Sequence, residues 1–99
     1  MNNHEQQSSR EVPYHERYFD YLENDEIESV LKTLKLCYIS NREHKLTYLS
    51  DNTAINDIWG RFTIKMEKVL ELFIMTAYRR DLISWEEENQ YHDMVRSIL

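Results

Sequence analysis

Residues 53–80 read TAINDIWGRFTIKMEKVLELFIMTAYRR, and the fold turns on them. Ile55, Ile58, Trp59, Phe62, Met66, Val69, Leu70, Phe73, Ile74 and Ala77 recur at i, i+3, i+4, i+7. That is one face of an α-helix, in a spacing close to a heptad seam. The pattern predicts one continuous helix over 53–80, about 42 Å long at ~1.5 Å per residue. A domain of this size has a radius of gyration of only ~13 Å. Such a helix is expected to be the spine of a bundle or to overhang into a partner.

Working outward, composition supports helices. The 99 residues are 41% hydrophobic and 12% aromatic, enough for one domain with a real core. They hold a single Gly and a single Pro. Sheets need turn chemistry that so few of these residues cannot supply. Residues 1–12 form a polar, Asn/Gln/Ser-rich tail expected to be disordered, and 13–99 a single helical domain. Pro13 suits the first turn of a short helix reaching Leu22. Asn24 or Asp25 is expected to cap the next helix, whose stripe is Ile27, Val30, Leu31, Leu34, Cys37 and Tyr38. Ser84 and Glu87 make a capping box for a last helix lined by Tyr91, Met94, Val95 and Ile98.

Residues 36–50 have two readings. LCYIS and KLTYL flank the polar NREH, as in a β-hairpin. The helical stripe nevertheless reaches Tyr38, and Ser40-x-x-Glu43 is a capping box for a short helix over 41–49. With no Gly at the turn, helix is preferred. The expected fold is an all-α bundle of four to five helices built on the long 53–80 helix. The alternative is α+β with a small hairpin at 36–50.

Charge limits the function classes. The net charge of −6 is unevenly spread: residues 1–24 carry −3 and 81–99 carry −4, while the middle is close to neutral. Acidic ends oppose the counterion release on which duplex binding depends. A helix-turn-helix with its turn at 81–84 would open its reading helix on Glu86, Glu87 and Glu88, where DNA would be repelled. Arg61, Lys65 and Lys68 on the long helix, with Arg79 and Arg80, are the cations such a role would use.

Chemistry is sparsely signalled. The lone Cys37 falls on a core stripe, as a buried structural thiol rather than a nucleophile, and points to a reducing, cytoplasmic setting. Glu88 and His92 are i, i+4 neighbours, but zinc sites want three or four ligands, so an ion pair is expected and no metal. No Gly-rich loop is present to cradle phosphate. The apolar runs are too short for a membrane span. No catalytic residue and no cofactor is expected.

Binding residues are the better candidates. Tyr14, Tyr18, Phe19 and Tyr21 crowd one short helix beside the acids Glu16 and Asp20, and Tyr unites a large apolar area with a polar tip. They are the expected anchors for a protein partner, possessing the charge to steer a basic one. Trp59 stands beside Gly60, which would permit close approach of another helix at a cost of ~1 kcal/mol relative to Ala. Ile55, Trp59, Phe62, Met66, Val69 and Phe73 are the expected interface of a symmetric homodimer.

Phe73 to Leu99, in which Thr76-Ala77-Tyr78 lead through Asp81-Leu82 into a capped last helix, is loosely similar to helical bacteriocin-immunity proteins. The resemblance covers about a quarter of the chain and includes no specific motif. In composition the chain is also similar to small bacterial or phage accessory proteins. The expected function is a non-enzymatic protein-protein interaction module: an inhibitor, an immunity-type antagonist or a regulatory adaptor. The alternative is a small helical nucleic-acid-binding transcriptional regulator.

Overall fold

The computed structural model describes residues 19–40 and 44–99, and within them every regular element is a helix. The five are α1 (Asn24–Ser40), α2 (Lys45–Ser50), α3 (Thr53–Phe62), α4 (Met66–Arg79) and α5 (Trp85–Ile98). The all-α bundle expected from composition is the observed class. The hairpin alternative is excluded for the described part of 36–50, because 36–40 closes α1 and 45–50 is α2. Ser40 does not open a new helix: its hydroxyl donates back to the Leu36 carbonyl at 2.5 Å. Glu43, its expected capping partner, lies outside the described residues, as do residues 1–18 and the expectations that fall on them.

The single long helix over 53–80 is corrected. The chain breaks between α3 and α4, where Thr63 takes a left-handed φ of 50° and its N–H closes on the Trp59 carbonyl at 3.1 Å. Two causes act together. Thr63 and Ile64 are adjacent β-branched residues, which are weak helix formers, and the Thr63 hydroxyl donates to the Phe62 carbonyl at 2.6 Å. A straight rod would also outrun its companions and leave much of its apolar face in water. Folded at 63–65, α3 packs against α4, and both halves of the stripe reach a common core.

The spine is therefore the 14-residue α4, about 21 Å long. Met66, Val69, Leu70, Leu72, Phe73, Ile74 and Ala77 are all buried on it. Ile27, Val30, Leu31, Leu34 and Cys37 of α1 pack against this face, as the stripe predicts. Tyr38 is exposed and drops out of that stripe. From α5, Val95 and Ile98 are buried, with Tyr91 and Met94 partly so.

Caps explain where elements begin and end. The α1 boundary falls at Glu23, one residue before the expected caps: its carbonyl accepts the first helical N–H groups, and the Glu26 carboxylate accepts its N–H at 2.7 Å. Asn52 caps α3 by accepting the Ile55 N–H at 3.1 Å, while its amide donates to Ser29 and Thr33 of α1. The Ser84–Glu87 capping box on α5 forms in both directions. Helix α4 ends in a Schellman pair, Leu82 N–H to Ala77 and Asp81 N–H to Tyr78, with Asp81 left-handed at φ 61°.

The Arg80 side chain ties the end of α4 to the start of α1, so these helices run antiparallel. The short 80–84 connection then brings the start of α5 to the same end of the bundle. This end gathers Asp20, Glu23, Asp25, Glu26, Asp81, Glu86, Glu87 and Glu88.

Candidate functional site

At the acidic end, Phe19 has 3-10 helical geometry and runs into a turn over residues 20–22, closed by the Leu22 N–H on the Phe19 carbonyl at 2.9 Å. The turn buries Phe19 and Leu22 and leaves Asp20 and Tyr21 between them exposed. Phe19 is wholly buried, edge-on to Phe73 with centroids 4.8 Å apart and parallel to Phe62 at 6.5 Å. Its expected role as an exposed anchor is therefore corrected: the ring plugs the space between α3 and α4. Tyr21 points outward and is 53% exposed. Asp20 lies within ion-pair distance of Arg79, at 3.4 Å.

Tyr21 is held rather than loose. Its hydroxyl donates to Asp57 Oδ2 at 2.6 Å, and Arg61 reaches both oxygens of the same carboxylate at 3.2 Å from the next turn of α3. The Arg61 guanidinium also lies over the tyrosine ring, 5.6 Å from its centroid. Partial burial and the hydrogen bond to Asp57 raise the Tyr21 pKa above its ordinary 10.0. The hydrogen bond from Tyr21, with help from Arg61, lowers that of Asp57 below 3.8. At neutral pH the three groups form a fixed neutral donor, anion and cation.

Beside them an open recess of about 500 Å³ is lined by Asp20, Leu22, Glu23, Asn24, Asp25 and Arg80. Arg80 forms its floor, donating to the carbonyls of Leu22 at 2.7 Å and Phe19 at 3.0 Å and to Asn24 Oδ1 at 3.1 Å. The recess therefore presents carboxylates, because its cation is engaged with the backbone.

The expected dimer stripe does not form an outer face. Ile55, Met66, Val69 and Phe73 are buried in the chain's own core, and Trp59 and Phe62 are half-buried against it. Gly60 faces open space, with nothing within 4 Å of where a Cβ would stand, so no described helix of the same chain approaches it closely. Tyr14, Tyr18 and Glu16 lie outside the described residues.

Cys37 is fully buried. His92 Nε2 lies 3.6 Å from Glu88 Oε2, an i, i+4 pair. No third ligand joins it among the described residues, where no group of three or more His, Cys, Asp or Glu side chains gathers. Nor is any described helix long and apolar enough to cross a membrane. Of the cations that a nucleic-acid surface would use, Arg61, Arg79 and Arg80 are each engaged with groups of the chain itself.

Sequence reasoning did not find the tyrosine joined to the Asp57–Arg61 pair from 36 residues away. It also missed Trp85, which it read only within a capping box and which stands 63% exposed. Comparison with protein-family models, curated proteins and solved structures found no match. Nothing is therefore carried over from the immunity proteins.

Proposed function

We propose that the protein is a non-enzymatic interaction module that acts by binding another protein through its acidic, aromatic end. One observation carries the reading: the exposed Tyr21 ring is fixed in place by Asp57 and Arg61. An exposed side chain is ordinarily mobile, and ordering it on binding costs ~0.5–1.5 kcal/mol. Here that ordering precedes the encounter. Tyrosine and arginine are both enriched among residues that dominate binding energy. The surrounding Asp20, Glu23 and Asp25 would steer a basic partner and fix its orientation. An inhibitor, an antagonist or an adaptor could use such a surface.

The test is affinity capture from cells of the source organism with wild type, Tyr21→Ala and Ile39→Ala side by side. The reading expects a protein retained by wild type and by the Ile39 variant but depleted about tenfold by Tyr21→Ala. Circular dichroism melts must show the variants folded. Equal retention by all three would remove Tyr21 from the site. A duplex-DNA mobility shift that weakens steeply with salt would replace the reading with the nucleic-acid regulator.

A further inference from the structure

Trp85 is the first residue of α5 and is 63% exposed, on a different side of the helix from the core residues Val95 and Ile98. With ~100° per residue, Trp85 lies about 110° around α5 from the midpoint between Val95 and Ile98. No ring or cation contact is recorded for it among the described residues, unlike Tyr21. A tryptophan carries ~150–250 Å² of largely apolar surface, which is costly to leave in water on a protein that buries twenty hydrophobic residues among those described. Its setting is equally marked. Asp81, Glu86, Glu87 and Glu88 fall within eight residues, and no Lys or Arg occurs between Asp81 and His92.

Those carboxylates exceed what the helix terminus requires. One capping carboxylate suffices, and Glu87 supplies it by accepting the Ser84 N–H at 2.8 Å. The terminus itself contributes only about half a positive charge. Glu86 and Asp81 remain exposed. The nearest arginines cannot neutralise them, since Arg80 is engaged with the 19–24 segment and Arg79 lies within reach of Asp20.

We infer that the Trp85 face of α5 is a docking surface for a lysine- and arginine-rich segment of a protein partner. The indole packs against the aliphatic stems and faces of the basic side chains, and Asp81 and Glu86 receive their charges. This rests on the reading of the protein as an interaction module, and it adds a second contact surface and the partner's chemistry. An acidic or neutral segment would meet unpaired carboxylates around the tryptophan. A second copy of this chain would bring the same acidic end against itself.

A fluorescent peptide of Lys, Arg and Leu is the probe, titrated at physiological salt with a matched Glu and Leu peptide as control. The basic peptide should bind and the acidic one should not. Trp85→Ala should weaken binding about tenfold or more, and Glu86→Lys with Asp81→Lys should abolish it, while Ile39→Ala, an equally exposed apolar residue at the far end of α1, leaves it unchanged. Loss on charge reversal with no effect of Trp85→Ala would mean diffuse electrostatics and overturn the docking surface. Binding of both peptides, or of neither, would also overturn it. A photo-crosslinking residue introduced at 85, and separately at 21, is then irradiated in cells of the source organism. A basic segment captured at 85 supports the inference. Capture at 21 alone, or of an acidic segment or a second copy at 85, overturns it while leaving the module reading intact; capture at neither position overturns both.

Discussion

Arg80 donates from Nη2 to the carbonyl of Phe19 at 3.0 Å, across a separation of 61 residues. The same guanidinium holds the Leu22 carbonyl and Asn24 Oδ1, so one side chain joins the turn, the start of α1 and the end of α4. Arg80→Ala would remove the donor to the Leu22 carbonyl and leave the Phe19 carbonyl with only the Leu22 N–H. A loss of about 1–3 kcal/mol is expected in urea unfolding. Arg80→Lys should recover little of it, because a point charge cannot span acceptors served by a planar fork. Full recovery by Lys would mean that charge alone matters here.

Phe19→Ala removes a wholly buried ring that touches both Phe73 and Phe62. The expected cost is about 3–4 kcal/mol, or a fall in melting temperature of roughly 12–25 °C for a domain of this size. A variant that melts within a few degrees of wild type would show that Phe19 is not a core residue.

The break between α3 and α4 makes a test with proline decisive. Lys65 has φ −65° and ψ 148°, which is proline's own backbone geometry, and its side chain is exposed. Lys65→Pro should therefore change stability by no more than about 1 kcal/mol. In an unbroken helix over 53–80 the same substitution would cost ~3 kcal/mol or more.

Gly60 lies inside α3 with open space around its Cα hydrogens. Gly60→Ala should stabilise the fold by about 0.5–1 kcal/mol through reduced backbone freedom in the unfolded chain. Thermal melts over a range of protein concentrations check this. A destabilised variant whose melting depends on concentration would reveal a second helix pressed against position 60.

The Tyr21–Asp57 hydrogen bond has a defined pH window. The Asp57 pKa is lowered from 3.8 on folding, so its contribution is present above that value and disappears as the folded carboxylate is protonated. The Tyr21 pKa is raised from 10.0, so its contribution is present below that value and disappears as the folded phenol ionises. Urea midpoints of wild type and Tyr21→Phe should differ most between about pH 4 and pH 10 and converge outside this window. The plateau difference should be ~0.5 kcal/mol, small because the pair is substantially exposed. A difference that does not vary with pH would deny the hydrogen bond.

The helical class, the inward faces of α1 and α5, the Asn52 cap and the Ser84–Glu87 box follow from residues no more than four positions apart. Such signals are written locally, because a cap or a stripe needs only the neighbouring turn of its own helix. The i, i+4 partnership of Asp57 with Arg61 belongs to the same class and was legible for the same reason. The apolar stripe of 53–80, by contrast, was compatible with one rod or two shorter helices, since both present the same periodicity. The β-branched Thr63–Ile64 pair only weakens the helix locally; the break there also needs the gain from folding both halves onto one core, which no local window contains. Phe19 and Tyr21 are aromatics of similar size, two positions apart in an acidic segment. Only the packed bundle assigns the first to the gap between Phe62 and Phe73 and the second to Asp57, because the chain leaves helical geometry after Phe19 and turns through Tyr21. Arg80 could not be distinguished in sequence from a solvent-facing cation. Its role exists only once chain closure brings the ends of α4 and the 19–24 segment within hydrogen-bond reach.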